Sequence, residues 1–191
     1  MIAAERTALI LLAAGRSQRF GAADKLAQEF LGQPLAFHVV TALESVPFLD
    51  RIVVKHGTAL DFAARGYRVI HNAQPEIGMS SSVKLGVACA RDQGADAVMI
   101  ALADMPRVTA AHVLRLLDAA DGRDAVVASS DGVKPCPPAV FAADRFDALL
   151  ALHGDEGARA MIAGGKHVIA PTAELLDIDR PEDLERLRAL L

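Results

Sequence analysis

Three cations stand close together in the chain: Arg16, Arg19 and Lys25, within Gly15-Arg16-Ser17-Gln18-Arg19-Phe20-Gly21-Ala22-Ala23-Asp24-Lys25. They follow the apolar run Leu9-Ile10-Leu11-Leu12-Ala13-Ala14. Such a run reads as a buried strand, and a basic loop of small residues at its end suits a polyphosphate. Backbone N–H groups can approach the phosphates closely while the side chains neutralise them. A second candidate is Asp104 in Leu102-Ala103-Asp104-Met105-Pro106, which ends the continuous apolar run 97–102. A carboxylate at a strand end can hold Mg²⁺, an ion that takes oxygen ligands together with phosphates. Ligands of open α/β sheets bind beyond the C-terminal ends of the strands, so the loop and Asp104 fall on one sheet edge. No standard glycine fingerprint is present: there is no G-x-x-x-x-G-K-[ST], and Gly15 and Gly21 are too far apart for G-x-G-x-x-G.

Each of these residues also has a plainer reading. Runs of charge are usually solvated loops, and an aspartate before Pro106 can simply close a turn. In Gly78-Met79-Ser80-Ser81-Ser82 a serine can cap the following helix, or the hydroxyls can meet a base or ribose. Asp155 (in Gly154-Asp155-Glu156-Gly157-Ala158-Arg159) and Asp179 both precede helices, and Asp179 with Glu182 matches a capping box. Cys136, between Pro135 and Pro137, has no histidine partner and reads as a partly buried thiol. The histidines at 38, 56, 71, 112, 153 and 167 form no metal pattern and read as surface or packing residues.

The elements that would position these groups alternate. Strands are expected at 7–12, 51–55, 67–71, 97–102, 124–129, 167–170 and 175–178. Helices are expected at 34–44, 60–64, from Gly78 onward, after a Thr109 cap, at 143–152, 155–163 and 181–191. The proline-rich stretch 132–141 reads as a strand-and-turn excursion. Alternating βα units imply a three-layer α/β fold with a mostly parallel sheet, in one domain spanning 1–191. A net charge of −4 without a basic face argues against nucleic acid, and no Trp with one Tyr argues against a base-stacking platform. Two cysteines in neither a metal nor a disulfide pattern, no cleavable leader and no membrane-length apolar run make a cytoplasmic protein the expectation, with no membrane role.

Taken together, the motifs resemble the molybdenum cofactor cytidylyltransferases, within the wider MobA-like nucleotidyltransferases. Residues 12–17, Arg19-Phe20-Gly21 and Lys25-Leu26 look like the family's nucleotide loop. Gly78-Met79-Ser80-Ser81-Ser82-Val83 looks like its second motif, and Leu102-Ala103-Asp104-Met105-Pro106 like its metal motif. Pro138-Ala139-Val140-Phe141, Gly154 to Arg159, Asp177-Ile178-Asp179 and Pro181-Glu182-Asp183-Leu184 look like the later ones. The resemblance implies a Rossmann-like α/β/α nucleotidyltransferase fold and Mg²⁺-dependent transfer of CMP from CTP to the phosphate of molybdopterin. Arg16, Lys25 and Asp104 would be catalytic, and Ala13, Ala14, Gly15, Arg16, Arg19, Lys25, Gly78 and Ser82 would bind nucleotide. Asp104 and Asp179 would hold metal, and Pro138, Asp155 and Arg159 would bind the acceptor. A molybdoenzyme of the xanthine dehydrogenase type is the implied partner. Ala13-Ala14-Gly15 favours CTP, since the guanylyl branch tends to carry Ala-Gly-Gly. One departure stands out: Cys136-Pro137 replaces the Gly-His or Gly-Asn that many cytidylyl members place before this strand. Another nucleotide or acceptor (GTP, a sugar phosphate), a non-catalytic cofactor carrier and an NAD(P)H-dependent reductase are the competing readings.

Overall fold

The computed structural model describes residues 1–15, 24–154 and 157–189. Strand β1 (Thr7–Ala13) is buried along its whole length and lies in the interior of a seven-stranded sheet, third from one edge. To one side lie β4 (Asp50–Lys55) and β5 (Arg68–His71), and to the other β6 (Ala97–Leu102), all parallel to β1. Beyond β6 come β8 (Pro135–Ala142), β7 (Val126–Ser130) and the edge strand β9 (Lys166–Ile169). Only β8 runs antiparallel to its neighbours in this sheet. A small hairpin of β2 (Glu29–Phe30) and β3 (Gln33–Pro34) follows the basic loop in sequence.

The two-residue period of β1 sorts its side chains to opposite faces. Leu9, Leu11 and Ala13 pack with α1 (Leu35–Ala42) and α3 (Ala110–Ala119). Ala8, Ile10 and Leu12 pack with α2 (Met79–Asp92), α4 (Phe146–Leu150) and α5 (Arg159–Gly164). The three-layer architecture is therefore as the alternating pattern implied. In α2, Gly86 lets the helix backbone approach β1: an added Cβ would lie 2.5 Å from Ile10 Cγ2. Ile10 is fully buried and β-branched, so it cannot swing away. Gly86→Ala should therefore lower stability by about 1–2 kcal/mol, overpacking outweighing the better helix propensity of alanine. The urea midpoint measures it, and an unchanged or higher midpoint would show that the two layers can move apart.

Some boundaries differ from the sequence expectation. Residues 60–64 do not form an α-helix; a single 3₁₀ turn forms at Ala63–Arg65. The helix expected at 143–152 is a 3₁₀ turn (Ala143–Arg145) followed by the short α4. Residues 175–178 form no strand. Their apolar side chains are satisfied by packing instead: Leu175 joins the core under α1 and α3, while Ile178 joins Phe30, Leu35, Leu184 and Leu187. That last cluster seats α6 (Pro181–Ala189) over the β2–β3 hairpin, with Arg188 donating to the Glu29 carbonyl at 2.9 Å.

The proline-rich stretch became an interior strand. β8 pairs with β6 only through Ala139–Ala142. Against β7 its register jumps from Ala128↔Ala139 to Ser129↔Cys136, passing over Pro137 and Pro138, which are joined by a cis peptide bond. Proline has no N–H to give a ladder, so the pairing slips there.

Candidate active site

The C-terminal ends of the central strands are tied together by backbone bonds: His56 N–H to the Ala13 carbonyl, Asn72 N–H to that of Lys55, and Ala103 N–H to that of Leu12. Lys25 lies in a 3₁₀ turn (Lys25–Ala27) and is buried. Its turn is fixed by Asp24, whose Oδ1 accepts from Leu26 N–H at 3.0 Å and whose Oδ2 accepts from the buried Thr58 hydroxyl at 2.6 Å. Gln28 Nε2 adds a bond to the Asp24 carbonyl at 3.1 Å. From this fixed backbone the Lys25 ammonium donates to Asp104 Oδ2 at 2.7 Å and lies 3.6 Å from Asp179 Oδ1.

Three candidate residues separated widely in sequence thus meet at one point. Asp104 is brought there by the end of β6. Asp179 is brought there by its neighbour Ile178, whose side chain is buried under α6 and whose N–H donates to the Asp104 carbonyl at 3.0 Å. Asp183 caps the start of α6: its Oδ2 accepts from the N–H groups of Asp179 (3.1 Å) and Arg180 (2.9 Å). A carboxylate three residues into the helix reaching back in this way is one half of a capping box.

The Asp104 carboxyl is unusual. Oδ2 takes the lysine, while Oδ1 is buried and has no hydrogen-bond partner. Burial pushes its pKa above the usual carboxylate range, opposed by Lys25 and reinforced by the nearby charges of Asp177 and Asp179. A buried carboxylate oxygen without a partner is costly, and a further cation would relieve it.

Beside this cluster lies a cleft of about 230 Å³ lined mainly by Leu102, Met105, Cys136, Pro137, Leu175 and Leu176, with Asp131, Lys134 and Asp177 at its polar positions. Pro138 is buried next to it, and its carbonyl accepts from Ser129 Oγ at 2.7 Å. Ser129 Oγ is in turn 2.7 Å from His112 Nε2, while Arg115 is 2.9 Å from His112 Nδ1. Arginine only donates, so Nδ1 accepts and Nε2 carries the hydrogen towards Ser129. Burial holds the imidazole below its ordinary pKa, which keeps this chain of bonds intact. His112 is thus a structural histidine that fixes the wall behind the cleft. Cys136 is a neutral thiol, pushed by burial up to about 11.

The remaining candidates are placed as follows. Ala13 and Ala14 are buried at the end of β1, with Gly15 exposed after them. Gly78 precedes α2 with φ 101°, and none of the serines caps that helix. Ser82 is buried and accepts from Asn72 Nδ2 at 2.9 Å, while the same amide donates to Ser81 at 2.8 Å. Ser80 Oγ is buried without a partner. Gly157 packs against Met79 at the start of α2, and Arg159 is exposed. Neither Arg159 nor Pro138 lines the cleft. Arg16, Arg19 and Asp155 lie outside the described residues. The sequence reading missed Asp24, Thr58 and Asn72. Asp24 adjoins a candidate lysine and precedes a short turn, which was a usable signal; Thr58 and Asn72 carried none.

The mostly parallel sheet with helices on both faces matches the Rossmann-like nucleotidyltransferase neighbours. The crystal structure of the Mycobacterium tuberculosis rv0371c homolog from Mycobacterium sp. strain JC1 superposes with a TM-score of 0.81 at 26% identity, covering 97% of this chain and 96% of that one. The family model of the MobA-like NTP transferase domain matches residues 9–170, and the chain belongs to that family. It is 33% identical to the purine catabolism protein PucB of Bacillus subtilis (strain 168), over 94% of each chain. It is 32% identical to the molybdenum cofactor guanylyltransferase of Cereibacter sphaeroides, over 95% of each. Among the described residues no helix is long and apolar enough to cross a membrane.

Proposed function

We propose that this nucleotidyltransferase moves CMP from CTP to the terminal phosphate of a molybdopterin-type acceptor and releases pyrophosphate. The observation that carries the reading is the convergence of Lys25, Asp104 and Asp179 beyond β1 and β6, beside an apolar cleft. The residues fit a divalent cation. Asp104 Oδ1 is an orphaned buried oxygen, and Asp179 approaches the same ammonium. Among the described residues no group of three or more His, Cys, Asp or Glu forms a metal cage. Two carboxylates with the remaining positions left to phosphate and water is the habit of Mg²⁺. Such an ion, when bound, neutralises triphosphate charge and polarises the reacting phosphorus.

The chain's own part is positioning. Lys25, with Arg16 and Arg19, would hold the triphosphate. An acceptor phosphate oxygen forms a bond to the α-phosphorus as the bond to the bridging oxygen breaks, its electron pair leaving with pyrophosphate. The acceptor is already an anion, so no general base is needed, and catalysis rests on alignment and charge stabilisation. The cleft suits a ring system of low charge, since Asp131 and Asp177 oppose a carboxylated acceptor. Ala14, where a glycine would leave more room, favours a pyrimidine over a purine base. The guanylyltransferase relative supports GTP as the second reading.

Pyrophosphate release with CTP or GTP, with and without molybdenum cofactor, tests both. At least a tenfold preference for CTP, dependent on the cofactor, is expected. Preference for GTP would transfer the chain to the guanylyl reading, and turnover on a sugar phosphate alone would remove the molybdopterin assignment.

A further inference from the structure

Lys25 would meet the departing phosphates on the proposed reading, and in the structure its ammonium is held on carboxylates, Asp104 at 2.7 Å with Asp179 at 3.6 Å. The two carboxylates that would hold a divalent ion are therefore already served by a resident cation. Its side chain is only 8% exposed, so this is no loose surface pair. We infer that Lys25 is the stand-in for the metal: the ion and the ammonium compete for the Asp104–Asp179 carboxylates, and arrival of the ion releases Lys25 to the triphosphate.

The inference rests on Asp104 being the cation's anchor and adds the order of events around it. Asp104 Oδ1 offers the entering ion a first foothold without disturbing the bond at Oδ2. The Thr58–Asp24 clamp pins the backbone on both sides of Lys25. The ammonium can then change partner only by rotation of its flexible four-carbon stem, a short and cheap movement. Before the exchange Lys25 neutralises the largely buried Asp104 and the exposed Asp179 beside it. Afterwards the same lysine meets the group whose charge grows during the reaction. Metal and triphosphate would accordingly bind with positive coupling, because each favours the arrangement that the other needs.

The probe is Mn²⁺ alone, the free ion read by electron paramagnetic resonance at pH 8 without nucleotide. Lys25→Met and Lys25→Gln should each bind Mn²⁺ at least tenfold more tightly than the unaltered chain, or about 1.4 kcal/mol. The glutamine keeps a donor for Asp104 and guards against misfolding of the methionine variant. Asp104→Asn should remove the site in either background. Lys134→Met takes a cation from the adjoining cleft and should alter affinity less than twofold. Equal affinity in the Lys25 variants and the unaltered chain, with dependence on Asp104 intact, would overturn the exchange and leave the metal anchor standing. An equal gain at Lys134 would overturn it too, since the effect would then be the general field. Mn²⁺ binding indifferent to Asp104 would remove the anchor and the exchange together.

Discussion

Asp104→Asn is expected to lower pyrophosphate release by at least about a thousandfold, which corresponds to about 4 kcal/mol of lost transition-state stabilisation. The substitution keeps the shape of the side chain, and the backbone carbonyl that receives Ile178 N–H is untouched. It also keeps an oxygen for Lys25, with Asp179 still nearby. What it removes is the negative charge at the partnerless Oδ1. Near-UV circular dichroism should therefore be unchanged while turnover collapses. A variant retaining a tenth of normal turnover would show that the cation is anchored elsewhere.

Lys25→Met should act on the other half of the same cluster. At saturating Mg²⁺ its kcat is expected to fall by about 10²–10³, the usual effect of deleting one preorganised donor to developing charge. KM for the triphosphate should stay within threefold, because the charge that Lys25 meets is greatest as pyrophosphate departs. The split separates roles: a raised KM with normal kcat would mean uniform binding and no part in the chemical step. In the same variant metal binding is expected to strengthen, so activity and metal affinity should move in opposite directions. A simple loss of structure would depress both.

Much of the fold was legible because β1 and β6 are apolar runs with no competing helical period, and because Thr109 caps α3 as its position suggested, accepting from His112 N–H. Where the pattern failed, tertiary packing had taken over. Residues 175–178 look like a strand by composition, but Leu175 and Ile178 are pulled into different clusters and no ladder forms. Lys25 and Asp104 could be placed together from sequence because each follows an apolar core strand of one parallel sheet, and β1 and β6 prove to be neighbours in it. Asp179 was ambiguous, since Asp183 stands close enough in sequence for either to serve the helix; only the observed bonds assign the cap to Asp183. For the serine cluster the sequence left capping and ligand contact open, and the structure removes only the first. Serines are good caps, yet Gly78 stands at the N-cap of α2, and Ser82 turns inward to Asn72, a partner ten residues away just after β5.

The slip in β8 has an implication for how such a protein can diversify. Residues 135–138 are held on one side only, by β7, because pairing with β6 begins at Ala139. Two of the cleft's walls, Cys136 and Pro137, come from this half-attached piece, whereas Asp104 hangs from the fully laddered β6. Side chains at 136 and 137 can be rewritten without disturbing the hydrogen bonds that keep the reacting groups in line. On the proposed function, this half-attached piece can change its contacts to the acceptor while the laddered strand holds Asp104 in place, and Cys136-Pro137 would be one such rewriting.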